Sequence, residues 1–154
     1  YPEVLNLSEW ITRFRADYIE ISATPCRIAL ELADNQMEVR FDPQQLHQVV
    51  SNLVMNGLRY STLQSGVPHI RLVAGHQDSN QLPYMEVIDD GPGITESLRE
   101  HLFEPFYTTE ATGTGLGLYL SREICEANLA RLDYIPEKSG ACFRIIFAHP
   151  DRLS

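Results

Sequence analysis

Apolar and polar positions alternate along this chain with two distinct periods. Trp10, Ile11, Phe14, Tyr18 and Ile21 recur at helical spacing behind Ser8, a suitable N-cap, and predict a first amphipathic helix. Cys26 to Leu32 and Gln36 to Phe41 read as two strands joined by a turn at Asp34-Asn35. Pro43 behind Asp42 then marks the first helical residue after a second N-cap. In the run that follows, Leu46, Val49, Val50, Leu53 and Val54 form an apolar stripe fit to lie on a sheet. Asn52 and Asn56, one helical repeat apart, project from the other face. This helix ends before the breaker pair Ser65-Gly66. From His69 to Ala74 and from Tyr84 to Ile88 the alternation predicts two more strands, linked by the polar turn Gln77-Asp78-Ser79-Asn80.

Past Ile88 the pattern changes. Asp89-Asp90-Gly91-Pro92-Gly93 is a breaker cluster, and Thr95 caps a short helix through His101. Phe103 to Gly113 has no period and reads as a loop. From Thr114 or Gly115, the residues Leu118, Leu120, Ile124 and Ala127 predict a further helix. Arg131 to Ile135 and Ala141 to Phe147 form a terminal hairpin around Lys138-Ser139-Gly140. Strands in pairs among three helices imply an α+β sandwich, one mixed sheet covered on one face. Neither an internal repeat nor a linker interrupts it, so the chain reads as one domain.

Composition narrows the function. The 154 residues, 44% hydrophobic and 21% charged, suit a folded domain rather than a disordered one. A net charge of -9, from 12 basic against 21 acidic residues, argues against a nucleic-acid partner. A nucleotide held through a metal and backbone amides stays compatible with that charge. No apolar run approaches a membrane span and the first residues are unlike a signal peptide, so direct membrane contact is not expected. The 3 cysteines, Cys26, Cys125 and Cys142, lack C-x-x-C spacing, which points to a reducing cytoplasm. Opening on Tyr-Pro-Glu without Met, the sequence reads as a piece of something longer.

Three clusters carry candidate chemistry. Asn52 and Asn56 offer hard oxygen donors of the kind Mg²⁺ takes while keeping water and phosphates in its other positions; ordinary solvated amides are the plain alternative. Asp89, at the end of an apolar strand, can only accept hydrogen bonds when ionised, and so tells adenine, whose N6 donates, from guanine, whose O6 accepts. Gly91 and Gly93 let backbone approach a flat base, although Asp-Gly is also common turn chemistry. Gly113-Thr114-Gly115-Leu116-Gly117-Leu118 runs straight into a helix, whose unpaired N–H groups suit a phosphate. Its spacing is that of neither a dinucleotide fingerprint nor a P-loop. Between the glycine clusters, Phe103-Glu104-Pro105-Phe106-Tyr107-Thr108-Thr109 fits a mobile lid, or a loop whose Phe side chains fill core.

Taken in order, an Asn-x-x-x-Asn helix, Asp-x-Gly-x-Gly after a strand, Phe-x-x-Phe, and Gly-x-Gly-x-Gly opening a helix resemble the N, first glycine, F and second glycine boxes of one family. That family is the catalytic and ATP-binding domain of bacterial sensor histidine kinases, in the superfamily shared with gyrase, Hsp90 and MutL. The resemblance spans nearly the whole chain and implies the Bergerat fold, a two-layer α/β sandwich with about five strands in a mixed sheet under three helices. The leading Leu7-x-x-Trp10-Ile11-x-x-Phe14 is similar to the segment after the second helix of the dimerisation domain, so residues 1–24 would be a leading helix and junction to a domain absent here. Residues 119–128 and Cys142-Phe143-Arg144-Ile145 look closest to kinases of the NtrB and PilS type, the latter controlling type IV pili.

The resemblance implies ATP and Mg²⁺ as cofactors. Asn56 would be the principal metal ligand with Asn52 beside it, both counted as catalytic. Arg59 would face the phosphates and Tyr60 flank the adenine. Asp89 would accept from N6, Gly91 and Gly93 would shape the base pocket, and Gly113, Gly115 and Gly117 would close on the triphosphate. Ile94, Phe106, Thr114, Leu116 and Leu118 would complete the nucleotide site. Gyrase-type relatives carry Glu where Asn52 stands; an amide cannot deprotonate water, which favours transfer to a protein acceptor. The expected partners are a dimerisation and His-acceptor domain of the same kinase and, indirectly, a response regulator of the NtrC type. The parent would be anchored in the inner membrane with this domain in the cytoplasm, and the isolated fragment would be a monomer.

The sequence departs from a complete kinase in two places. None of its 5 histidines, His47, His69, His76, His101 and His149, sits in the His-Glu-x-x context of a phospho-acceptor. The His-Gly-Gly that usually follows the last helix is replaced by Asn128-Leu129-Ala130. Two other readings fit the same boxes: an ATP-binding regulatory module like the Ser kinases among anti-sigma factors, and a binding domain without catalysis.

Overall fold

The computed structural model describes residues 1–61, 66–106, 117–136 and 140–150. Its spine is the long helix α2 (Pro43–Ser61), which follows β1 (Glu3–Asn6), α1 (Leu7–Ile21), β2 (Arg27–Leu32) and β3 (Glu38–Phe41). Asp42 caps α2 as the sequence predicts, its Oδ1 accepting from the N–H groups of Gln44 at 2.9 Å and Gln45 at 3.0 Å. The stripe Leu46, Val49, Val50, Leu53 and Val54 is at most 1% exposed. It lies on β4 (His69–His76) and β5 (Pro83–Asp89), the two central strands. Burial of that stripe is what holds helix to sheet, at about 25 cal/mol for each Å² of apolar area removed from water.

The chain continues through a single-turn helix α3 (Glu96–Arg99), then α4 (Gly117–Ala127), β6 (Arg131–Tyr134) and β7 (Cys142–Ile146). Five strands form one mixed sheet in the order β2-β4-β5-β7-β6, with β2 and β4 parallel and the other neighbours antiparallel. Alternation sorts its faces. Ile70, Leu72, Met85, Val87, Leu132 and Ile145 are buried beneath the helices. The other face carries ion pairs, Arg144 to Glu86 at 2.6 Å and Arg71 to Glu31 at 2.6 Å. The α+β sandwich with a five-stranded mixed sheet is thus the predicted fold, and the short helix expected after Thr95 is present as the single-turn α3 beside the three longer helices.

Three local expectations are corrected. β2 and β3 do not pair: β2 runs parallel to β4, while β3 takes β1 as its partner in a separate two-stranded sheet, with Glu3 opposite Phe41. β1 has no sequence signal of its own, being too short to show alternation. Asn6, not Ser8, caps α1, its side chain accepting from the Glu9 N–H at 3.3 Å. Ser8 lies within the first turn, where its hydroxyl donates to the Asp34 carbonyl and ties α1 to the turn before β3. Thr95 does occupy the N-cap of α3 but makes no capping bond through its side chain.

The departure after α4 is accommodated by geometry. Leu129 takes φ +62, the left-handed conformation that glycine normally supplies at a helix end. Asn128 compensates by donating Nδ2–H to Gln45 Oε1 at 2.8 Å and to the Ile124 carbonyl at 2.9 Å, while its Oδ1 accepts from the Asp42 N–H at 3.0 Å. The end of α4 is thereby tied to the start of α2.

Candidate functional site

Where β5 runs out, Asp89 is 5% exposed and points at α2. Its Oδ1 accepts from the Gly91 N–H at 2.8 Å and the Ala141 N–H at 3.2 Å. Its Oδ2 lies on the side of Gly57 and takes no hydrogen bond from any described residue. Burial pushes the carboxyl upward from the ordinary carboxylate range and the neighbouring Asp90 adds to this, while the two backbone N–H groups pull the other way. A carboxylate so held presents one acceptor oxygen in fixed orientation. That is the chemistry an adenine N6 requires.

Glycines make this approach possible. A Cβ on Gly57 would stand 3.1 Å from Ile70 Cγ2 and 3.6 Å from Asp89 Cβ, so α2 comes down on the strand only because that position is bare. A Cβ on Gly91 would stand 2.8 Å from the Tyr60 carbonyl oxygen. Gly140, at φ +78, lies so close to the Asp89 carbonyl that no side chain fits there. Ser61, fully buried, donates its hydroxyl to Asp90 and accepts from the His69 N–H at 2.8 Å, binding the end of α2 to the turn that follows Asp89.

Further up the same helix, Asn52 meets the start of α4. A Cβ on Gly117 would stand 2.7 Å from Asn52 Oδ1, and Asn52 Nδ2 donates to Ser121 Oγ at 3.2 Å. Asn56 lies between these two contact points, half-buried, and Arg59 is exposed. Ile94 and Leu118 are partly buried against the core. Phe103 packs edge-on to Phe143 with centroids 6.3 Å apart, and the Arg122 guanidinium lies 3.9 Å over its ring. Phe106 does not fill core: it is 76% exposed at φ +66. Gly113, Thr114, Gly115 and Leu116 lie outside the described residues, as do Tyr107, Thr108 and Thr109 of the stretch expected to form a lid.

The structure therefore brings Asn52, Asn56, Tyr60, Asp89, Gly91 and Gly117 to one side of α2. Among the described residues no three His, Cys, Asp or Glu side chains converge to hold a metal. What α2 does offer is neutral amide oxygen, a donor set that suits Mg²⁺ completed by phosphates and water and does not suit Zn²⁺. Gly57, Ser61, Ser121 and Ala141 are the contributors that sequence reasoning missed. Only Gly57 left a signal, as a glycine inside a helix where it costs about 1 kcal/mol against alanine and so implies a close packing partner.

Fold and site together define a domain of the nucleotide-binding class, with a buried acid and an amide-bearing helix at one end of a mixed sheet. The chain belongs to the histidine kinase-, DNA gyrase B- and HSP90-like ATPase family, which it matches over residues 41–151. It is 50% identical over 154 residues to the sensor protein kinase PilS of Pseudomonas aeruginosa, covering 99% of this chain and 29% of that protein. It is 30% identical to sporulation kinase E of Bacillus subtilis over 94% of this chain and 20% of that protein. The chain thus spans less than a third of these curated relatives. Among solved structures, the catalytic domain of histidine kinase ThkA superposes with TM-score 0.80 at 26% identity, over 96% of this chain and 97% of that one.

Proposed function

We propose that this chain is the catalytic and ATP-binding part of a sensor histidine kinase, holding Mg-ATP and presenting its γ-phosphoryl to a histidine on a dimerisation domain. Residues 1–24 would lead in from that domain, in a parent anchored in the inner membrane. The resemblance to the NtrB and PilS type supports an NtrC-type response regulator downstream, with type IV pili as the output. The observation that supports the reading is the anchored acid: a buried Asp89 with one oxygen spent on two backbone N–H groups and the other facing a helix that also carries Asn52 and Asn56. The 50% identity to a sensor kinase favours a histidine acceptor over a serine one.

In this mechanism Asp89 orients the base, Tyr60 and Gly91 flank it, and Asn56 with Asn52 would hold the cation. Held there, the cation would supply neutralisation of charge on the phosphates. Asn52 cannot act as a base toward water, since an amide stands where an acid would be needed. The rate gain is then positioning and electrostatics, with the attacking nucleophile supplied by the other domain. Replacing Asn56 with Asp sets an added negative charge against the triphosphate. Phosphorylation of a dimerisation domain mixed with this variant should fall by about 100-fold or more. Transfer at the wild-type rate would defeat the assignment.

A further inference from the structure

Asn52 is held by a residue outside all four boxes. Its Nδ2 donates to Ser121 Oγ at 3.2 Å, and its Oδ1 is the atom nearest Gly117. Ser121 is 3% exposed and sits one turn beyond Gly117 on α4, so the bond joins α2 to the helix that the second glycine cluster opens. We propose that Ser121 is a positioning residue for the cation, holding the Asn52 carboxamide with its oxygen outward and its nitrogen inward. The inference rests on the nucleotide reading above.

The argument turns on the symmetry of an amide. Its two ends are close in size and opposite in polarity, so a half-turn about χ2 replaces a metal-binding oxygen with a donor that a cation repels. With oxygen toward the cation, nitrogen points into the contact between α2 and α4, where a donor without an acceptor is costly. Ser121 Oγ is the acceptor that the structure supplies there. Gly117 closes the other side, since any side chain would collide with the amide. An aliphatic residue at 121 would pack as well but leave the nitrogen unsatisfied whenever the oxygen faces the metal, so the metal-facing pose would lose the partner it has in the serine hydroxyl.

A titration separates this from simple packing. A non-hydrolysable ATP analogue is titrated calorimetrically into wild type, S121A, S121C and S121T, with Mg²⁺ and again with EDTA. S121A and S121C, the second nearly isosteric but a weak acceptor, should lose about fivefold of the affinity that Mg²⁺ adds, the worth of one neutral hydrogen bond. Both should match wild type in EDTA, and S121T, which keeps the hydroxyl, should retain the Mg²⁺ increment. An increment intact in S121A, or a loss of equal size with and without Mg²⁺, overturns the proposal while leaving the nucleotide reading standing. Absence of analogue binding by the wild type overturns both.

Discussion

Substituting Asp89 by Asn isolates the base anchor from the fold. Asn can keep its Oδ1 on the Gly91 and Ala141 N–H groups, now 2.8 and 3.2 Å away, so the local backbone has no reason to move. Its Nδ2 then stands where Oδ2 stood, a donor facing the donors of adenine N6. The lost charge-assisted bond is worth about 1.5–3 kcal/mol and the donor left unpaired about 1–3 kcal/mol more. At about 1.4 kcal/mol for each factor of ten, affinity for an ATP analogue should fall by roughly a hundred- to ten-thousandfold. A guanine nucleotide, whose O6 accepts, should fall much less, so the preference between the two bases collapses.

Stability should move the other way. Burial raises the pKa of Asp89 above its ordinary 3.8, so the folded state resists ionisation of this group. The stability it contributes is complete below the unfolded value and is lost as pH rises through the folded one. At neutral pH the neutral Asn carries no such cost, and the variant should melt no lower than wild type. Wild-type nucleotide affinity should likewise drop as pH falls through the raised pKa, above the range of an exposed carboxylate. Calorimetric titration with both nucleotides, alongside thermal melting, reads all of this. Unchanged ATP affinity in a folded Asp89→Asn protein would refute the reasoning, as would a melting point lowered in proportion to the lost binding.

Two further outcomes follow from the helix ends. Leu129→Gly relieves a left-handed backbone at a position 37% exposed, so thermal melting should rise by roughly 2–4 °C for about 1 kcal/mol gained; a lower melting point would mean that the side chain's packing outweighs its strain. Ser61→Ala leaves both Asp90 and the His69 N–H without their shared partner, and should cost about 1–3 kcal/mol in denaturant unfolding together with weaker analogue binding, because the turn after Asp89 is released; stability within error of wild type would show that water replaces the hydroxyl without loss.

On the proposed reading a strongly acidic domain would hold a polyanion without a basic face. The groups gathered along α2 are amides, a glycine-lined strand end and backbone N–H donors, with Arg59 the one basic residue of that helix's last turn. Affinity of this kind depends on a cation and on oriented dipoles more than on net charge.

Much of this protein is written in patterns that one stretch of chain can satisfy alone. The apolar stripe of α2, the cap at Asp42, the alternation in β4 and the strand β5 follow from helix and strand periods, and the structure reproduces each. The boxes are legible for the same reason, as short runs whose residues act together. Which strands pair was not legible, because β2 could join β3 or β4 with equal local propensity. The fold sets β2 beside β4 with Arg27 opposite His69, a contact between segments that α2 separates in sequence, so no local pattern records it. The site's supports were hidden likewise: Ala141 reaches Asp89, and Ser121 reaches Asn52, across long sequence separations that no periodicity records. A backbone N–H or a lone hydroxyl becomes a functional part only when folding places it beside its partner, and that placement belongs to tertiary structure.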